Sequence, residues 1–241
     1  MTSHSFRTPT GQPVPAVTAA EMQAVDRVAV EEIGLQLLQM MENAGRILSW
    51  HVREFRREET PVIVVAGNGG NGGGGMVCAR HLSNQNIPVN VLLDRSPDKL
   101  TDVAATQYRI LNEMGVSITT DVGRLSPHTS EPVVVDALVG YGLEGEVRAP
   151  AREIIERMNR TTGPIVSVDV PSGTDATTGE ALGVSVETTR TITLALPKTG
   201  LEMLHGALYL ADISIPETVY NRLGIEYDRP FGGDDWVELK R

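Results

Sequence analysis

The sequence holds one cysteine, Cys78, and only 4% aromatic residues. A lone cysteine cannot build an intrachain disulfide framework, and it fits a reducing, cytoplasmic setting. No run of about 18 apolar residues occurs, so no membrane-spanning helix is expected. Basic residues are outnumbered, 21 Lys and Arg against 31 Asp and Glu, for a net charge of −10. A sequence-independent nucleic-acid binder needs a basic face, so that class is excluded. One anionic ligand is not excluded, because local backbone dipoles can oppose the global field. No pair among His4, His51, His81, His128 and His205 has zinc spacing. The stretch from Met1 to Pro9 lacks the apolar core of a secretory signal.

What the chain does have is a core and a glycine run. Its 241 residues are 41% hydrophobic, within range for one α/β domain. The β-branched run Val62–Ala66 enters a segment with seven glycines in nine positions, Gly67 to Gly75, and a helical pattern leaves it. Strand, glycine turn and helix N-terminus together leave backbone N–H groups free for an anion such as phosphate.

In chain order, residues 1–17 carry Pro9, Gly11, Pro13 and Pro15 and read as a loop lead-in. Thr18-Ala-Ala-Glu21 is a capping-box pattern opening a helical stretch, broken near Gly34 and resumed from Leu35 to Phe55. Strands are predicted at Val62–Ala66, Val89–Leu93, Val116–Thr119, Val133–Ala137, Ile165–Asp169, Thr191–Leu196 and Leu208–Ile213. Helices are predicted at Met76–Ser83, Thr101–Met114 and Pro150–Asn159. The alternation predicts a Rossmann-like three-layer sandwich with a mostly parallel sheet, and a site at the strands' carboxyl ends. Residues 18–223 form the expected domain, and 224–241 a tail.

Gly67-Asn-Gly-Gly-Asn-Gly72 satisfies the dinucleotide-binding pattern, with Asp94 ending the next strand. So glycine-rich a segment satisfies almost any glycine pattern, and no hydride-transfer partner is evident. A Walker-type loop is out, because no Gly-Lys-Ser/Thr follows. Three later strand ends say more. Val133–Asp136 leads into Gly140 and Gly142, Ile165–Asp169 into Pro171 and Ser172, and Thr193–Pro197 delivers Lys198. Carboxylates and a lysine gathered at one sheet edge suit proton transfer. Oxygens of Asn71, Asp136 and Ser172 suit, alternatively, a hard cation.

Several segments, in order, resemble the YjeF N-terminal domain family of NAD(P)H-hydrate epimerases. They are Ala20–Asp26, Met41-Glu-Asn-Ala-Gly45, the glycine run with Ala79–Leu82, Asp136–Gly142, Val168–Asp175 and Leu196–Leu201. The resemblance implies an isomerase that interconverts the R and S forms of NADH or NADPH hydrated at C6 (NADHX and NADPHX), in nicotinamide nucleotide repair. It implies a homodimer and a separate dehydratase as pathway partner. It implies a potassium ion held at Asn71, Asp136 and Ser172. It also implies substrate contacts from Gly70, Asn71, Gly72, Gly73, Gly74 and Asp169, and from a covering loop with Gly140, Tyr141, Gly142, Leu143, Glu144, Gly145 and Glu146. Asp169 becomes the acid–base candidate, with Lys198 stabilising charge near the reacting ring or phosphate. Where the family has an Asn and an Asp, this chain has Gly70 and Gly74. That departure keeps a second reading open, a non-catalytic nucleotide-binding or protein-interaction scaffold of the same fold.

Overall fold

The computed structural model describes residues 3–57, 60–125 and 131–241; His128 lies outside them. Its elements run β1 (Ser3–Arg7), β2 (Pro13–Ala16), α1 (Ala19–Arg27), α2 (Leu37–Phe55), β3 (Val62–Ala66), α3 (Gly70–Ser83), β4 (Val89–Leu93), α4 (Asp102–Glu113) and β5 (Ser117–Thr119). They continue with β6 (Val133–Ala137), α5 (Ala151–Met158), β7 (Ile165–Val168), β8 (Arg190–Leu194), β9 (Ala207–Ala211), α6 (Glu217–Arg222) and β10 (Trp236–Leu239). The main sheet has eight strands in the order β10-β9-β8-β7-β6-β3-β4-β5, and every pairing except β10 with β9 is parallel.

Alternation along β3 shows how the layers form. Val62, Val64 and Ala66 join Ile47, Leu48 and Val52 of α2 with the inner sides of α3 and α4. Ile63 and Val65 point the other way, against Ile154, Ile155 and Met158 of α5. A period of two thus fills both faces from one apolar strand. Each such side chain contributes about 1.5–3 kcal/mol by leaving water.

The glycine run is mostly helix, not loop. α3 begins at Gly70, six residues before the predicted Met76. Glycine inside a helix costs about 1 kcal/mol relative to alanine, so close packing must require it. A Cβ on Gly75 would lie 2.5 Å from the Ala137 Cβ, and one on Gly73 2.7 Å from the Met41 Sδ. On the facing helix, a Cβ on Gly45 would lie 2.7 Å from the Gly74 carbonyl oxygen. These glycines let α3 press against α2 and the sheet.

Both ends of the chain also differ from expectation. Residues 3–16, read as loop, form the antiparallel pair β1–β2 because Phe6 and Val14 bury their side chains beside Leu208 and Leu210. The tail from Gly224 supplies β10. The lead-in also reaches the site edge. Val17 N donates to the Pro197 carbonyl at 3.0 Å and Thr199 N to the Val17 carbonyl at 2.9 Å, bracketing Lys198. At the start of α1 the capping box is present, with Thr18 and Glu21 satisfying each other's backbone N–H groups. After α1 the chain widens into π-type turns over Val28–Ile33 and stops at Gly34, whose φ of 84° suits glycine.

Candidate active site

Strand order reverses beside β3. From it the chain moves outward through β4 and β5, then returns to β6 and moves outward the other way. The connections leaving β3 and β6 therefore part, opening a crevice at the carboxyl edge. Asn71 stands there in the first turn of α3, Asp136 near the end of β6, Asp169 just past β7, and Lys198 beyond β8.

Asp169 is 1% exposed and has φ +67°, a left-handed conformation costly for a residue with a Cβ. Its backbone N–H donates to the Ile192 carbonyl at 2.7 Å, which holds the bend. Oδ1 accepts from Lys198 Nζ and from Leu194 N, the latter at 3.3 Å. Oδ2 is buried and has no hydrogen-bond partner. Lys198, equally buried, gives a second proton to the Leu194 carbonyl at 2.9 Å and lies 5.5 Å from the centre of the Tyr141 ring. Leaving a buried carboxylate oxygen unsatisfied costs more than the 1–3 kcal/mol typical of a neutral group, which is reasonable where a ligand is meant to meet it.

The Tyr141 hydroxyl donates to Asp26 Oδ2 on α1. Burial pushes the Asp26 carboxyl above its usual range, opposed by the Tyr141 hydrogen bond and by Lys198. Asp26, Asn71, Tyr141, Asp169 and Lys198 line one pocket of about 90 Å³, and Met22, Met40, Met41 and Ala44 form its apolar wall. Asp26 ends the family-like segment Ala20–Asp26, but sequence reading gave it no role in the site. A further signal was its place in a helix whose apolar side, Met22 and Val25, faces inward.

A second polar knot centres on Asp136. Asp136 is 1% exposed. Its Oδ2 accepts from Ser167 Oγ and Ser172 N at 2.9 Å each, and its Oδ1 from Ser172 Oγ at 2.5 Å. Burial raises its pKa, and those hydrogen bonds oppose the rise. Val139 N donates to Ser172 Oγ at 2.9 Å. Asn71 Nδ2 donates to the Val168 carbonyl at 3.0 Å, which leaves its amide oxygen available. Gly140 lies on that side chain so closely that a Cβ there would come 2.6 Å from Nδ2. Asp136, Ser172 and Asn71 carry carboxylate, hydroxyl and amide oxygens, the donor chemistry that suits a hard cation.

Of the remaining sequence candidates, Gly70 and Gly74 line the pocket, and a Cβ on either would meet nothing nearer than 3.9 Å. Gly72 and Gly73 are buried in helix packing instead. Gly142, Glu144, Gly145 and Glu146 are exposed, Glu146 pairing with Arg152, while Leu143 is half-buried beside the α5 cluster. The structure thus gathers Gly70, Asn71, Gly74, Tyr141, Asp169 and Lys198 on one cavity, with Asp136 and Ser172 joined to each other.

The YjeF-related protein N-terminus family matches residues 37–200, a span that includes every residue of this constellation except Asp26. The chain belongs to the YjeF-related family. It is 42% identical over 233 residues to a protein of Dehalogenimonas lykanthroporepellens named NAD(P)H-hydrate epimerase, covering 94% of this chain and 93% of that one. It is 36% identical to a bifunctional NAD(P)H-hydrate repair enzyme of Salinibacter ruber, covering 86% of this chain but 42% of that longer protein. The crystal structure of a yeast protein superimposes with a TM-score of 0.81 at 28% identity, covering 92% of this chain and 99% of that one. The YjeF-related fold is therefore shared across most of the chain.

Proposed function

We propose that this protein is an isomerase that interconverts the R and S epimers of hydrated NADH and NADPH. The observation that carries the reading is the buried, unpartnered Asp169 Oδ2 beside Lys198 in an apolar pocket, in a chain so similar to proteins named for that activity. Exchange at C6 needs a proton taken from, or returned to, the carbinol or the ring nitrogen. A carboxylate and an ammonium held against each other supply both a base and an acid. The pocket takes the hydrated ring. The N-terminus of α3 and the Gly140–Glu146 loop hold sugar and phosphates at its lip, so that only the ring changes.

A potassium ion fits Asn71, Asp136 and Ser172. When bound it would supply positive charge beside the Asp136 carboxylate. The same reading makes the protein a cytoplasmic homodimer that hands its product to a dehydratase. Relatives that are bifunctional repair enzymes carry more chain than this one, and among the described residues no helix is long and apolar enough to cross a membrane. Gly70 and Gly74 remove side chains from the pocket wall but leave Asp169, Lys198 and the cation donors in place.

The test is an epimer-resolved assay on purified R or S NADPHX with potassium present. Interconversion well above the buffer rate is expected. Folded protein that binds NADPHX and leaves the epimer ratio at the buffer rate would establish the scaffold reading instead.

A further inference from the structure

Two carboxylates line the pocket, and the reading above uses one of them. The other, Asp26, accepts from the Tyr141 hydroxyl, whose ring packs beside Lys198. Resting on the proposed epimerisation, we propose that Asp26 and Tyr141 form a second proton station: Tyr141 Oη touches the substrate hydroxyl and Asp26 acts through it. A proton on Tyr141 committed to Asp26 leaves the phenol oxygen's lone pairs as the acceptor facing the cavity.

In the ring-opening direction the atoms balance as follows. The carbinol proton moves to Tyr141 Oη while the tyrosine proton moves to Asp26 Oδ2. The O–H electron pair forms the C6 carbonyl as the C6–N bond breaks, and nitrogen keeps that bond's pair and takes a proton from Lys198. Closure on the opposite face runs every transfer backward and restores both groups. Acid and base thus stand on different elements, α1 with the β6 loop against the turns after β7 and β8. Asp26 is a positioning residue in this scheme, because it acts through Tyr141.

The groups facing Asp26 are Tyr141, Lys198, Asp169 and, from α6, Tyr220. Burial and Asp169 hold its carboxyl above the ordinary range, against Tyr141 and Lys198. The relay needs the ionised form, so kcat falls as pH drops through that raised value. A plain tether between α1 and the loop would instead affect KM or stability and leave the profile alone.

The experiment compares wild type, Asp26→Asn and Asp26→Glu in the epimer-resolved assay across pH, with saturating potassium. Asp26→Asn keeps an acceptor for the Tyr141 hydroxyl. It is expected to lower kcat by about 10–100-fold, leave KM within about twofold, and lose the acidic limb of the kcat profile; Asp26→Glu recovers part of the rate. An unchanged kcat and profile, or a change confined to KM, overturns the relay. If Asp26→Asn does not fold, Tyr141→Phe carries the test, with the same loss expected and a wild-type rate overturning it. Wild type that binds NADPHX without turnover overturns the epimerase reading and the relay together; an active wild type with an unaffected Asp26→Asn overturns the relay alone.

Discussion

Two ionic clusters sit at opposite edges of the same sheet, one fully buried and one reaching the surface through Glu54, and only the first lines a cavity. At the carboxyl edge, Asp169 and Lys198 face a cavity, on a residue with φ +67°. Near the amino edge, Arg190 starts β8 and donates to Glu54 and to His51 Nδ1. Arg190 lies over Phe55 at 4.5 Å and Tyr209 at 4.8 Å. His51 is fully buried with Nε2 unpartnered, but its ring centre lies 4.6 Å from Tyr209, 4.8 Å from Trp236 and 5.0 Å from Trp50. Here the spare valence meets aromatic faces; at the other edge it belongs to a residue that lines a cavity. An ion pair alone does not mark chemistry; an unsatisfied carboxylate on a residue that lines a cavity does.

Breaking each cluster should separate the two. Asp169→Asn should cut epimerisation by about 10²–10⁴-fold, measured as initial rate per folded protein. Arg190→Met should cost about 2 kcal/mol of stability by denaturant unfolding through lost charged hydrogen bonds and ring contacts, while kcat of the folded fraction stays at the wild-type value. Equal losses of activity in both would erase the distinction.

A second contrast runs along α3. Gly75→Ala should destabilise by about 1–3 kcal/mol, because its Cβ would strike Ala137 at 2.5 Å and Val64 at 3.2 Å. Gly74→Ala, with its nearest neighbour at 3.9 Å, should gain up to about 1 kcal/mol from helix propensity. Equal unfolding midpoints for the two would show that packing does not explain the glycines.

The effect that vanishes at neutral pH is the pH dependence of the aromatic cluster. Burial and then Arg190 lower His51 from 6.5 to about 3. Between those values the unfolded chain binds a proton that the folded one refuses, so His51 costs nothing above pH 6.5 and destabilises increasingly as pH falls toward 3. Unfolding free energy followed over that window should fall less steeply in His51→Gln than in wild type. Parallel slopes would mean the folded protein accepts the proton.

Much of this was readable from the chain. The strands declared themselves through β-branched runs, and Asp169, Lys198 and Asp136 through their places at strand ends. The glycine run was misread because glycine composition is the same for a phosphate loop and for a helix pressed against its neighbours. What separates them is Val64, Ala137 and Met41, brought near only by folding. The hairpin was hidden by its prolines and glycine, although Phe6 had an apolar partner waiting on β9. Asp26 lay in a family-like segment but received no role, because its partner Tyr141 is 115 residues away and no local pattern encodes that pairing.

The most direct measurement starts from pure R-NADPHX and follows the appearance of S-NADPHX with wild type, Asp169→Asn and Arg190→Met in potassium buffer. The account predicts rapid appearance with wild type and folded Arg190→Met, and a rate near the buffer value with Asp169→Asn. Undiminished interconversion by Asp169→Asn would contradict it.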